Sequence, residues 1–317
     1  MRICILGLGV IGTTYGYLFS KAGFCVEHLV RKEVPKKLEI SLLDGRFSKT
    51  VNETKDTYNV NLAKANESYD FIFLSVASGK IKEAINYLKQ NNIKGTLVLM
   101  CNFWDTRKNL EQIIGDYKCV FAFPVAGGNM SDGRLECVVF NHILLENKAK
   151  ANISNYDDLI KLFKLANLKI ESPCDMIEWI WLHMAINAGV TSAAIKNGLK
   201  SEPKELALNL MSSYKALKIA IKTIKETIKV VKARGVDLKN YKNELMFYKI
   251  PSFIGAIFMK RMFAKNKLVS KIMTLHNDKN DILYVLKSVY QQAKKHNLNL
   301  PLFYKNTQNI IDILDTE

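Results

Sequence analysis

The sequence predicts an α/β protein, an open doubly wound sheet over residues 1–173 followed by an all-helical domain over 174–317. Three observations carry this reading. The chain opens with a strand, a glycine turn and a helix. Apolar strand runs recur as far as residue 147, and after Cys174 they give way to helical patterns punctuated by Gly235, Pro251 and Pro301. A length of 317 residues suits two domains of ordinary size, and 48% hydrophobic residues can supply a core for each.

Residues 2–6 are short, apolar and rich in β-formers, as expected of a buried parallel strand. Gly7, Gly9 and Gly12 follow as G-x-G-x-x-G, with Leu8, Val10 and Ile11 between them. A helical pattern runs to Lys21, Gly23 stops it, and residues 24–30 read as the next strand. A lone G-x-G-x-x-G is weak evidence. Placed between a strand and a helix, with a second strand after, it points to a Rossmann-like dinucleotide site. The first glycine permits the tight turn, the second lets a pyrophosphate approach the backbone, and the third lets helix and strand pack closely. The helix N-terminus then meets the phosphates with free N–H groups and a positive dipole end.

The end of the second strand selects the cofactor. An acidic residue there would bind the ribose hydroxyl of NAD, but this strand ends in Arg31 and Lys32, whose charge suits the 2′-phosphate of NADP(H). Glu27 lies too early and Asp44 too late. Further strands are predicted at 69–77, 95–102, 117–128, 134–141 and 142–147, with a helix at 80–90. The alternation puts Ser75, Val76 and Ala77, and also Cys101 and Asn102, on the sheet edge where ligands bind in such folds. Asn102 can meet a ligand with both a donor and an acceptor, and is equally suited to forming a turn.

Helices are predicted at 175–196, 204–234, 251–265, 279–296 and 304–314, with Pro203 at a first-turn position. The first is apolar on most sides yet carries His183, Asn187 and Thr191, spaced by four and so on one face. Buried polar groups left unsatisfied cost about 1–3 kcal/mol each. The stripe therefore either bonds neighbouring helices or faces a cleft with a polar ligand. A trio on the first helix after a nucleotide domain favours the cleft.

The formal net charge of +16 comes mostly from lysines scattered along the chain, a solvated surface that attracts anionic ligands. No nucleic-acid module or arginine patch accompanies it, so no nucleic-acid partner is expected. The six cysteines form no CxxC pair and read as buried thiols in a reducing cytoplasm. No signal peptide is read at the N-terminus. Residues 179–195 are too short and polar for a membrane span, and 250–263 are interrupted by Lys260 and Arg261, so no membrane partner is expected. No metal site is expected, because His28, His142, His276 and His296 stand apart from any ligand spacing.

This layout resembles the ketopantoate reductase family over nearly the whole chain. Gly7, Gly9, Gly12 and Arg31 match its NADP-binding part, and Asn102 matches its strand-end asparagine, which helps place the nicotinamide and the catalytic lysine. The family's W-x-K-x-x-x-N helix aligns with Trp181, His183 and Asn187, and its substrate-binding asparagine with Thr191. Its late helix, where an acidic residue binds substrate and cofactor, aligns at Asp281, and a serine upstream of that helix at Ser270. The chain departs from the family at the lysine that is His183, at a second lysine that falls on Ala77 with Lys80 out of register, and at a glycine-rich turn that is Asn102-Phe103-Trp104-Asp105. The resemblance implies reduction of a small anionic 2-keto acid by NADPH, in the cytoplasm, with a homodimer as the assembly considered. His183 with a pKa near neutral would supply the proton. Asn102 or Asn187 would orient the imidazole, and Thr191, Ser270 and Asp281 would bind substrate. Phe103 and Trp104 would suit an altered pocket, as in a dehydrogenase of another hydroxy acid or an imine. Loss of both lysines would suit an NADP-binding regulatory protein without catalysis.

Overall fold

The computed structural model describes residues 1–47, 51–196, 198, 201–275 and 277–315; His276 lies outside them. The chain divides into two compact units, Met1–Ile177 and Glu178–Glu317.

The first unit contains strands β1 (Arg2–Leu6), β2 (Cys25–Leu29), β3 (Lys37–Asp44), β4 (Glu53–Asn59), β5 (Ser68–Leu74), β6 (Lys94–Leu99), β7 (Cys119–Ser131), β8 (Arg134–Leu145) and β9 (Lys169–Glu171). Its helices are α1 (Val10–Lys21), α2 (Ile81–Gln90), α3 (Arg107–Ile114), α4 (Lys148–Ala151) and α5 (Tyr156–Leu165). The strands form one sheet in the order β2-β1-β5-β6-β7-β8-β3-β4, with β9 beside β8. From β2 to β7 all neighbours are parallel, which is the Rossmann-like half predicted by the glycine turn. Beyond β7 the sheet becomes mixed. A β7–β8 hairpin turns the chain back, β3 runs parallel to β8, and β4 closes the edge antiparallel to β3.

Two predicted strands, 134–141 and 142–147, are one strand, which passes a register shift against β7 between Val139 and Ile143 without turning, and His142 there pairs with Lys169 of β9. β3 and β4 were not predicted. Their lysines, glutamates and threonines hide the alternation, which in β3 puts Leu38, Ile40 and Leu42 inside. The core gathers Ile3, Ile5, Phe19, Phe71, Phe73 and Phe163 from strands and helices. Cys4, Cys101 and Cys137 are buried, whereas Cys25 and Cys174 are exposed, contrary to a uniformly buried set.

Helix α6 (Met176–Ala194) spans the boundary, and the second unit continues with α7 (Pro203–Ser212), α8 (Tyr214–Ala233), α9 (Lys242–Lys249), α10 (Ser252–Lys265), α11 (Lys267–Leu275), α12 (Lys279–Lys295), α13 (Pro301–Thr307) and α14 (Ile311–Leu314). The single helix predicted at 204–234 is two. Ser213 breaks it in extended conformation, and its hydroxyl caps α8 by accepting from Ala216 N at 3.2 Å. Pro203 and Pro301 open α7 and α13 at the first turn. Gly189 lets α6 and α8 touch, since a Cβ there would lie 2.7 Å from Ile224 Cα. Among the described residues no helix is long and apolar enough to cross a membrane.

Candidate active site

In the first unit, Leu6 is opposite Leu74 and Leu74 is opposite Leu99, so β1, β5 and β6 end on one edge of the sheet. Gly7 leaves β1 with φ +88°, a conformation that favours glycine, and its N–H donates to Leu29 O at 2.8 Å. Gly9 is the N-cap of α1 and provides no side-chain cap. The first helical bond runs from Thr13 N to Gly9 O, leaving the N–H groups of Val10, Ile11 and Gly12 without intrahelical acceptors. A Cβ at Gly9 would meet nothing within 4 Å, so a ligand can approach the turn. A Cβ at Gly12 would lie 2.8 Å from both Ile5 Cγ2 and Ser75 Oγ, so glycine there lets α1 close on the strands. Leu8, Val10 and Ile11 pack against the unit's core.

A buried relay that the sequence did not announce braces this turn. His28, inside β2, is fully buried; its Nδ1–H donates to Gly7 O at 2.8 Å and its Nε2 accepts from Tyr58 OH at 2.9 Å. Burial lowers the His28 pKa, so the ring is neutral and one tautomer serves both bonds. His28 looked isolated because its partner, Tyr58, stands on the unpredicted β4.

Arg31 and Lys32 are exposed just after β2, where the cofactor choice was read. The Glu83 pKa is lowered first by its hydrogen bond from Lys80 and also by the charge of Arg31, so Arg31 stands near the start of α2. Lys80, the lysine out of register, is held in this surface pair at 2.6 Å. Val76 is half-buried just past β5, and exposed Ala77 accepts a backbone bond from Lys80 N. Two buried polar atoms on this edge, Ser75 Oγ and Asn102 Oδ1, have no hydrogen-bond partner among the described residues. Such groups call for an external partner. With the open, uncapped glycine turn, they fit a dinucleotide. Phe103 does not line a pocket. It is fully buried and packs on Phe121 with ring centroids 5.6 Å apart, because the turn after β6 folds it into the core.

In the second unit, α6 carries the polar stripe. The Asn187 amide nitrogen lies 2.9 Å from His183 Nε2 and donates to it. Trp179, one turn earlier, stacks on the imidazole with centroids 5.2 Å apart and planes 12° apart. The helix thus fixes both the ring's plane and one of its nitrogens. Desolvation pushes the His183 pKa down to about 4, below the near-neutral value expected from sequence, so the ring is neutral at pH 7. Trp181 points elsewhere and lies under the Arg234 guanidinium at 3.7 Å. Thr191 is half-buried one turn after Asn187. Ser270 sits inside α11, and its hydroxyl donates back to Asn266 O and Lys267 O. Asp281 lies in the first turn of α12, which Asp278 caps by accepting from Asn280 N and Asp281 N. Ser75 was placed on this edge by sequence, whereas Tyr58, His28 and Trp179 were not given a role. For Trp179 the signal was present, since it is spaced four from His183. Among the described residues no group of three His, Cys, Asp or Glu is placed to hold a metal ion.

The fold and glycine turn define a class of proteins with a Rossmann-like nucleotide unit followed by a helical second unit. Residues 3–147 match the sequence profile of the family described as ketopantoate reductase PanE/ApbA. In sequence over that part and in fold over its length, the chain resembles the ketopantoate reductase family. A dimeric ketopantoate reductase from Staphylococcus aureus is 12% identical, with a TM-score of 0.64 over 99% of this chain and 98% of that one. A 2-dehydropantoate 2-reductase from Geobacter metallireducens is 13% identical, with a TM-score of 0.67 over 99% and 100%. A D-mandelate dehydrogenase solved with NADH and anilino(oxo)acetate is also 13% identical, with a TM-score of 0.67 over 100% of both chains. At these identities the likeness is one of fold.

Proposed function

We propose that the chain is an NADPH-dependent reductase of a small 2-keto acid, of the type that converts 2-dehydropantoate to pantoate. The observation that carries this is the uncapped glycine turn sharing an edge with the orphaned Ser75 Oγ and Asn102 Oδ1. When bound, NADPH supplies the hydride. The N–H groups of Val10, Ile11 and Gly12 hold the pyrophosphate, and Arg31, with Lys32, holds the 2′-phosphate. Asn102 orients the nicotinamide end, with Val76 beside it on the same edge. Asn187 and Trp179 hold the His183 ring, and because Asn187 donates to Nε2, the neutral ring carries its proton on Nδ1. His183 takes a second proton from solvent before it can give one to the carbonyl oxygen, and a carboxylate substrate brought beside it favours that uptake. Thr191, Ser270 and Asp281 are assigned to the substrate, and Asp281 also to the cofactor. The division of labour puts cofactor binding on residues 1–173 and substrate binding on 174–317. The reading includes a cytoplasmic location and a homodimer, the latter supported by the dimeric S. aureus enzyme of the same fold.

A second reading, an NADP-binding protein without catalysis, draws on the neutral His183 in place of a lysine. One assay separates the two: NADPH oxidation followed at 340 nm with ketopantoate and a panel of aliphatic and aromatic 2-keto acids, beside NADH. NADPH-specific turnover supports the reductase. Tight NADPH binding by fluorescence, without turnover of any panel member, supports the second reading.

A further inference from the structure

Helix α10 presents apolar side chains on both of its sides. Gly255, Ala256, Met259 and Phe263 form its buried face, with Gly255 so close to Ile221 of α8 that a Cβ would lie 2.8 Å from Ile221 Cδ1. A surface helix normally turns charged and polar residues outward. Here Phe253 (50% exposed), Ile257 and Phe258 (54%) point out instead, and Met246 of α9 adds a side chain that is 67% exposed. Phe253 and Ile257 are one turn apart and share a face.

The segment that carries this face has charge of one sign, and the packed helices α9 and α7 add only Glu244 and Glu205 as acids. Residues 245–275 contain six cations, Lys249, Lys260, Arg261, Lys265, Lys267 and Lys271, and no Asp or Glu. Lys260, Arg261 and Lys265 are exposed on α10 itself. Exposed aromatics on a helix that also exposes cations mark a contact surface, and the charge decides the occupant. A second copy meeting this face through a two-fold axis would set the same cations against one another. An anionic bilayer matches both parts, because its phosphates meet the cations and its acyl boundary takes the aromatics. Fourteen residues are too few to span a bilayer, so the helix would lie along it.

We propose that the outer face of α10 docks on anionic phospholipid membranes. This goes beyond the reductase reading and revises the sequence expectation of no membrane partner, which addressed spanning segments. The test uses the full chain without substrate or cofactor, so its outcome is independent of the reductase assay. The chain is sedimented with phosphatidylcholine vesicles and with vesicles also containing phosphatidylglycerol. Binding is expected only to the latter and weakens with added salt. Lys260→Gln with Arg261→Gln lowers the partition coefficient by about fivefold per charge. Phe253→Ser with Phe258→Ser lowers it at least tenfold, by about the loss of two buried aromatic side chains. All four positions are exposed, so the variants keep the parental circular dichroism and melting temperature. Failure to bind phosphatidylglycerol vesicles overturns the proposal. So does a Phe253→Ser, Phe258→Ser variant that binds vesicles normally but has a smaller molar mass by sedimentation velocity, because the occupant is then a second copy.

Discussion

If desolvation holds His183 neutral, acid should destabilise the protein through this residue. The folded pKa is about 4, against about 6.5 for an unperturbed histidine. The folded form therefore binds fewer protons than the unfolded one. The contribution to stability is fully present above pH 6.5 and is lost as pH falls from 6.5 through 4. The complete loss is about 3 kcal/mol, and about 2 kcal/mol of it falls between pH 7 and pH 5. The assay is urea unfolding at both pH values for the parent and for His183→Gln, which cannot titrate. His28, also lowered by burial, titrates equally in both proteins and cancels in the comparison. The parent should lose about 2 kcal/mol more than the variant over this interval. Equal losses would refute the claim that burial controls the ring, and with it the neutral state assigned to His183 at pH 7.

Two further outcomes follow from the cofactor half. Gly12→Ala places a methyl group 2.8 Å from Ile5 Cγ2 and Ser75 Oγ, so it should cost about 1–3 kcal/mol and weaken NADPH binding, read by thermal melting and fluorescence titration. Unchanged melting and binding would mean that α1 can withdraw from the strands freely. Arg31→Ala should weaken NADPH by roughly 10- to 100-fold, the worth of a charge-assisted bond, while NADH binding stays as it was. Equal loss for both cofactors would remove Arg31 from the 2′-phosphate.

What the sequence disclosed depended on whether the signal was local. The glycine turn was legible because Gly7, Gly9 and Gly12 act within one strand-turn-helix unit. The stripe on α6 was legible because helical periodicity puts His183 beside Asn187, and the hydrogen bond between them follows. The His28–Tyr58 relay was not legible. It joins residues thirty apart through a strand whose outward lysines and threonines mask its pattern. Phe103 was misread for a related reason. Its position after β6 suggests an edge, but whether a turn residue faces a ligand or the core depends on the turn's path. The break at Ser213 was hidden because no glycine or proline separates the two helices.

The exchange of lysine for histidine at position 183 has a physical consequence beyond geometry. Desolvation lowers the pKa of any cation, and here it takes the His183 imidazole down to about 4. A lysine starts from about 10.4, so desolvation there acts on a group that begins well above neutrality. The same surroundings thus hold an imidazole neutral far more readily than an ammonium. In the parent, the protonated fraction at pH 7 is about one in a thousand. If proton donation by His183 limits the rate, kcat/KM should fall about tenfold per pH unit from pH 5 to pH 8. His183→Lys should hold its rate on a 2-keto acid to a higher pH than the parent before declining, if the longer chain reaches the position of the imidazole. Parallel pH profiles for the two proteins would show that residue 183 does not carry the proton, and would move that role to another group on the site.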